Sequence, residues 1–248
     1  MTAALETRRL AKHFGGIIAT NDVSLTVKHG ARHALIGPNG AGKTTLINLL
    51  TGVLAPSQGS IHLEGKDITG IGRAARVKLG LARTFQVNSL FAEFTPFETL
   101  TMTIGERLGI GSQWWRKLRG RPEIEKEAED LLETFHLVDV GDRPTKSMAY
   151  GKQRLLEIAI AFACKPKVML LDEPAAGVPE SESAEIFQAL AALPPDVTVL
   201  LIEHDMHLVF RFADRITVMV NGAVFAQGAP DQIARDPRVR AVYLGEDA

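Results

Sequence analysis

The chain has 248 residues, with 28 Lys and Arg against 29 Asp and Glu and a formal net charge of −1. That balance excludes a nucleic-acid binder held by bulk charge, and an apolar content ordinary for soluble globular proteins allows one large domain or two small ones. Cys164 is the only cysteine, so an intrachain disulfide is excluded, a reducing compartment is expected, and Cys164 reads as a small core residue of a buried helix. The N-terminus lacks the apolar segment of a signal peptide, and no apolar run approaches the length of a bilayer span, so any membrane role is expected to go through a partner.

In chain order, Leu5 to Leu10 and Ala19 to Val27 read as strands, the second with Val23, Leu25 and Val27 alternating. Lys12-His13-Phe14-Gly15-Gly16 lies between them, and Lys28-His29-Gly30 is a turn before the apolar strand Arg32 to Ile36. Next comes Gly37-Pro38-Asn39-Gly40-Ala41-Gly42-Lys43-Thr44-Thr45, the pattern G-x-x-x-x-G-K-T, followed by the amphipathic run Leu46-Ile47-Asn48-Leu49-Leu50. A strand, such a loop and a helix in succession form a phosphate-binding unit. Glycine permits the curvature that turns backbone N–H groups inward, and the helix directs its positive end at the phosphates. Lys43 is expected to bridge β- and γ-phosphates, with the Thr44 hydroxyl offered to Mg²⁺.

Gly52, Pro56 and Gly59 punctuate the exit from that helix, and Ser60 to Lys66 is a short alternating strand with a glycine turn. Gly72 to Arg83 carries Arg73, Arg76, Lys78 and Arg83, which read as a solvated helix face. From Thr95 to about Leu137 the pattern is helical, with Leu131, Leu132 and Phe135 on one face of an acidic helix. Trp114-Trp115-Arg116-Lys117-Leu118-Arg119 within it is either a partner or membrane-surface patch or, more commonly, aromatics packed inward with charges outside. Tyr150-Gly151-Lys152-Gln153-Arg154 opens a helix ending near Ala163. Val168 to Leu171 is an apolar strand that ends in Asp172-Glu173. The two carboxylates fit either a helix N-cap pair or, downstream of a phosphate loop, a Mg²⁺ ligand (Asp172) and a residue that orients or deprotonates water (Glu173). Glu180 to Leu193 is helical, and Val197 to Ile202 is a further buried strand leading into Glu203-His204-Asp205. Arg215 to Ala226 reads as a hairpin about Asn221-Gly222, and Pro230 to Ala241 as two short helices.

Strands alternating with helices, with apolar strands that end in polar residues, predict an α/β fold with a mostly parallel sheet and its site at the strand C-termini. The expected organisation is a nucleotide-binding core over 1–89 and 151–248, including an N-terminal antiparallel β subdomain, with a helical subdomain inserted over 90–150.

The succession of the phosphate loop, Gln86, Tyr150-Gly151-Lys152-Gln153-Arg154, Leu171-Asp172-Glu173-Pro174 and His204 resembles the ATP-binding-cassette ATPases of the P-loop NTPase class over essentially the whole chain. The resemblance implies a head-to-tail dimer sandwiching two ATP molecules, each held by one subunit's phosphate loop and the other's signature helix. It further implies that Phe14 stacks on adenine, although alone this residue reads as core. Gln86 corresponds to the glutamine that touches Mg²⁺ and the attacking water, and His204 to the histidine that contacts the γ-phosphate. Gly151, flanked by Tyr150 and Lys152, corresponds to the signature glycine whose N–H faces the partner's γ-phosphate.

Two positions depart from the family pattern. Ala149 stands where the signature usually has serine, and a lost hydrogen bond to a charged oxygen, worth about 1.5–3 kcal/mol, is expected to slow turnover roughly ten- to a hundredfold unless Lys152 compensates. Pro179 stands where an Asp or Asn usually crosses the dimer interface, and proline can make neither that side-chain contact nor an N–H bond.

Phe14-Gly15-Gly16, Ala82-Arg83-Thr84-Phe85-Gln86, Asp172 to Gly177, Ile202 to Met206 and Tyr243-Leu244-Gly245-Glu246 together are similar to the branched-chain amino-acid importer ATPases, and the long insert after Gln86 to the larger of their two paired subunits. That resemblance implies a second ATPase subunit (or a second copy of the chain), two membrane permeases, a periplasmic solute-binding protein, and a peripheral position on the cytoplasmic face of the inner membrane. Importers of urea, amides or aromatic acids, and a binding-only regulatory cassette, are the alternatives. A soluble cassette of translation or DNA repair is disfavoured, because the chain has one phosphate loop and no heptad run.

Overall fold

The computed structural model describes residues 3–84, 90–110 and 121–244, and in it the chain divides into two units. One draws on Met1–Leu81, Lys167–Glu173 and Pro194–Ala248, the other on Ala82–Pro166 and Pro174–Leu193.

In the first unit, β1 (Ala3–Phe14) and β2 (Ile17–Lys28) form an antiparallel hairpin through Gly15-Gly16. Both strands run beyond the expected cores, so Lys12, His13 and Phe14 belong to β1. β4 (Gln58–Leu63) pairs with the other edge of β1 and β5 (Lys66–Asp67) closes the antiparallel sheet, in the order β2-β1-β4-β5. Val23, Leu25 and Val27 are buried while Ser24 and Thr26 are exposed, the alternation of a sheet with one dry face.

The second sheet of this unit takes β10 (Ala223–Gly228), β9 (Arg215–Val220), β3 (Arg32–Ile36), β8 (Thr198–Ile202) and β7 (Val168–Asp172) in that order. β3 is parallel to both β8 and β9, and β7 is parallel to β8. The uninterrupted apolar runs of β7 and β8 are buried at every position, as strands covered on both faces require. The hairpin β9–β10 turns at Asn221 (φ 48) and Gly222 (φ 79), the left-handed pair that a two-residue turn demands. An unexpected edge strand, β6 (Leu81–Arg83), starts where the Gly80 carbonyl accepts the N–H groups of Lys167 at 2.9 Å and Val168 at 3.0 Å. A three-residue strand carries too little periodicity to be visible in a sequence.

α1 (Lys43–Leu50) buries Leu46, Ile47, Leu49 and Leu50 in a core shared with both sheets. On the opposite face of the parallel sheet, α7 (Met206–Phe212), α8 (Pro230–Arg235) and α9 (Pro237–Leu244) cover Ala34, Ile36, Ile216 and Val218 through Val209, Ile233 and Val239. On α2 (Arg73–Lys78), Arg73 and Lys78 are exposed as the solvated-face reading expects, but Arg76 corrects it, being 1% exposed. Its guanidinium donates to the carbonyls of Leu49 (2.7 Å), Leu50 (2.6 Å), Thr69 (2.9 Å) and Ile71 (2.7 Å). α1 has no basic residue in its own last turn, so Arg76 supplies the cation that its orphan carbonyls need.

The second unit is helical apart from the end of β6. α3 (Pro96–Arg107) starts from a capping box in which Thr95 Oγ1 accepts the Glu98 N–H and the Glu98 carboxylate accepts the Thr95 N–H, both at 3.1 Å. α4 (Pro122–Thr134) is the expected acidic amphipathic helix, with Ile124, Ala128, Leu131 and Leu132 buried. Phe135 stacks edge-on against Phe162 of α5 (Tyr150–Ala163) at 5.7 Å. α5 ends one residue before Cys164, which is half-buried at the helix C-cap rather than in the core. α6 (Glu180–Ala191) completes the unit. The tryptophan-containing stretch 114–119 lies outside the described residues.

Candidate functional site: a phosphate loop facing paired carboxylates

β3 feeds directly into the glycine loop, whose shape is set by the unit around it. Gly40 (φ 80) and Gly42 (φ 94) occupy left-handed backbone. A Cβ on Gly42 would lie 2.5 Å from the Ala19 carbonyl oxygen of β2, so a side chain is excluded there by both conformation and space. The Gly222 N–H donates to the Ala41 carbonyl at 3.1 Å, and the Asn21 N–H donates to the Gly222 carbonyl at 2.8 Å, pinning the loop to β2 and to the β9–β10 turn. Gly37 and Ala41 are buried, Pro38, Gly42, Lys43 and Thr45 are half-buried, and Asn39, Gly40 and Thr44 are exposed.

Lys43, the first residue of α1, curls over the loop and donates to the carbonyls of Gly37 at 2.6 Å and Pro38 at 3.0 Å. Burial lowers its pKa, while the charges of Glu173 and Asp172 act in the opposite direction. The ammonium therefore sits within the field of the carboxylate pair. Asp172 closes β7 in register with Ile202 of β8 and is buried. Glu173 follows in left-handed backbone (φ 49), an unfavourable conformation for a side-chain-bearing residue, and its N–H donates to the Ile202 carbonyl at 2.9 Å. Neither carboxylate caps a helix, since the next one starts at Glu180. His204 follows β8 with its imidazole exposed, and Nδ1 lies 3.9 Å from Glu173 Oε1 and 3.8 Å from Glu203 Oε2.

Phe14, at the tip of β1, is 46% exposed. The Lys12 ammonium stands 5.2 Å from its ring centroid. Phe14, the glycine loop, Asp172, Glu173 and His204 thus belong to one unit and gather along the C-terminal ends of neighbouring parallel strands and the tip of the β1–β2 hairpin. Gln86 lies outside the described residues. Among the described residues no group of three or more His, Cys, Asp or Glu side chains is arranged around a metal position. The Thr44 hydroxyl and Asp172 carboxylate are nonetheless hard oxygen donors of the kind Mg²⁺ takes, since this ion completes its shell with water and phosphate oxygens.

Tyr150, Gly151 and Lys152 form the first turn of α5 in the second unit. The Tyr150 hydroxyl accepts from Arg154 at 2.6 Å, and Arg154 also pairs with Glu157 at 2.8 Å in a buried ion pair. Lys152 donates to the His136 carbonyl at 2.6 Å, with Asp139 at 3.6 Å and Glu185 at 3.9 Å, so it is partnered rather than freely solvated. Ala149 is the N-cap of α5 and offers no side-chain hydrogen bond. Instead the Gly151 N–H donates to Glu182 Oε2 at 3.1 Å. Glu182 and Arg76 have no local sequence signature, because each acts on an element distant in the chain. Pro179 serves as the N-cap of α6, its carbonyl accepting from Glu182 at 2.9 Å and Ser183 at 3.0 Å.

Comparison with known proteins places this arrangement. Residues 20–176 match the family model described as ABC transporter, and residues 223–248 match that of the branched-chain amino acid ATP-binding cassette transporter. The chain is 40% identical over 251 aligned residues, 98% of each protein, to BraF of Pseudomonas aeruginosa, named as a high-affinity branched-chain amino acid transport ATP-binding protein. It is 39% identical over 98% of each chain to LivG of Escherichia coli, which bears the same description. A crystal structure of the ADP conformation of an ATP-binding cassette of an ABC transporter superposes with a TM-score of 0.86 at 34% identity, covering 99% of this chain and all of that one. A nucleotide-free cassette superposes with a TM-score of 0.85 at 33% identity. No helix among the described residues is long and apolar enough to cross a membrane. The chain therefore belongs to the ATP-binding cassettes of ABC transporters, in the group of branched-chain amino acid transport ATP-binding proteins, and is the subunit that couples ATP hydrolysis to transport.

Proposed function

We propose that this cassette powers the import of branched-chain amino acids, pairing with a second cassette beneath two membrane permeases on the cytoplasmic face of the inner membrane and receiving solute from a periplasmic binding protein. Identity to BraF and LivG over 98% of the chain supports the solute class. The choice of branched-chain amino acids over urea, amides and aromatic acids rests on that kinship. The inserted stretch 90–150 is assigned to the helical subdomain that engages the permeases, with Gln86 on the loop leading into it.

The hydrolytic roles rest on one observation, the grouping of Lys43, Asp172, Glu173 and His204 at the ends of three neighbouring strands of one unit. Amides of Gly40, Ala41 and Gly42 and the first turn of α1 would hold the phosphates, joined by Gly37, Pro38, Asn39 and Thr45 as the walls of the loop. Lys43 would exchange its loop carbonyls for phosphate oxygens. Phe14, exposed rather than packed, would stack on adenine. Thr44 and Asp172, with Gln86, would hold Mg²⁺, which neutralises charge on the β- and γ-phosphates when bound. Glu173 would orient and deprotonate the attacking water, and His204, turned toward Glu173, would contact the γ-phosphate. The first turn of α5, with Tyr150, Gly151 and Lys152, would face the nucleotide of the paired cassette.

Glu173→Gln tests the assignment. This variant is expected to bind ATP as the parent does and to turn it over at least about a hundredfold more slowly, the scale of a lost general base. Normal hydrolysis by the variant would reject Glu173 as the base. Uptake of labelled leucine and of urea by vesicles carrying the whole transporter tests the solute.

A further inference from the structure

The Glu182 carboxylate is already seated where the proposed reading puts another anion. The Gly151 N–H donates to Glu182 Oε2 at 3.1 Å, and a Cβ on Gly151 would lie 2.3 Å from the same oxygen. A side chain at position 151 would therefore push the carboxylate away from this amide. The neighbouring residues explain its presence. A serine at the N-cap would satisfy an orphan N–H of the first turn itself, but Ala149 cannot. A carboxylate brought from α6 fills the deficit and favourably meets the positive end of α5. Its approach is steadied at both ends. The Glu182 N–H bonds to the carbonyl of Pro179, whose ring restricts the start of α6, and Glu185, one turn further on, lies 3.9 Å from Lys152 of α5.

We propose that Glu182 is an autoinhibitory anion, an internal stand-in for the γ-phosphate that occupies the signature amide until ATP on the paired cassette displaces it. The inference rests on the reading that this amide faces the partner's nucleotide. A state holding the amide captive lowers the apparent affinity of the closed dimer by the fraction of molecules in which the amide is free. A charge-assisted hydrogen bond, discounted for its partial exposure, sets that factor at roughly three- to tenfold. Ala149 and Glu182 then act as one device, in which the missing cap creates the binding place for the internal anion. Together they raise the ATP concentration at which closure occurs.

The test measures ATPase rate against ATP concentration for the intact transporter complex, alongside binding of a fluorescent ATP analogue to the full chain. Glu182→Ala is expected to lower the half-saturating ATP concentration of the complex roughly three- to tenfold while leaving analogue binding to the single chain unchanged. Glu182→Gln, which keeps an acceptor but loses the charge, should shift it less. Glu182→Asp, one methylene shorter and so unable to reach the Gly151 amide from the same backbone position, should shift it in the same direction and carries the test if Glu182→Ala does not fold. An unchanged or raised half-saturating concentration, or a lower melting temperature with the same ATP dependence, would overturn the inference and leave Glu182 a structural cap. Failure of the parent chain to bind the analogue would overturn the phosphate-loop assignment, and this inference with it.

Discussion

His33 lies on the strand that feeds the phosphate loop, fully buried, with Nε2 2.7 Å from Thr217 Oγ1. Its Nδ1 has no hydrogen-bond partner among the described residues. Imidazolium needs an acceptor at each nitrogen, so protonation here would bury a charged N–H with nothing to receive it. Burial first, and the charge of Arg215 second, lower the pKa from 6.5 to about 4. The unfolded chain takes up this proton near its ordinary value and the folded chain does not. Stability is therefore complete above about pH 6.5 and is lost as pH falls toward 4. At about 1.36 kcal/mol per pKa unit the full loss is about 3 kcal/mol, of which about 2 kcal/mol has gone by about pH 5. Urea unfolding of the full chain at about pH 7.5 and about pH 5 measures this, with His33→Met as the reference because it fills similar volume and does not titrate. The parent should lose about 2 kcal/mol more than the variant across that interval. Equal losses in the two proteins would refute the reasoning, by showing either that the imidazole finds an acceptor or that its proton is taken up without penalty.

Arg76→Ala strips a buried guanidinium from four carbonyls, and should cost at least about 3 kcal/mol in chemical denaturation while fraying the C-terminal turn of α1. Arg76→Lys, with three donors on a single nitrogen, should recover only part of that loss. Gly42→Ala should abolish ATP-analogue binding, because its Cβ meets the Ala19 carbonyl at 2.5 Å in a backbone with φ 94. Gly40→Ala, whose Cβ meets no atom within 4 Å, should suffer only the strain of its left-handed backbone. Equal binding by the two variants would show that the loop is not held against β2.

The parallel strands were readable because their residues are apolar without interruption, and the loop because glycine spacing and a Lys-Thr pair constrain chemistry locally. The hairpin at Asn221-Gly222 and the acidic amphipathic α4 declared themselves in the same way, through turn chemistry and a 3.6-residue period. Arg76 misled because a basic run looks the same whether it meets water or the end of another helix. Cys164 reads as core from its apolar neighbours, yet the helix ends just before it. β6 is too short to carry a pattern.

By itself, the amino-acid order determined the kind of unit this is, since the phosphate loop, the Asp172-Glu173 pair and the signature run are each encoded in contiguous residues whose chemistry is local. Only the tertiary structure decided which groups complete one another across the chain. Arg76 reaches the carbonyls of α1, β2 and the β9–β10 turn clamp the glycine loop, and Glu182 reaches the amide of Gly151. Those pairings satisfy backbone groups left over at helix ends and loops, and such a demand can be met by any residue that folding brings within about 3 Å.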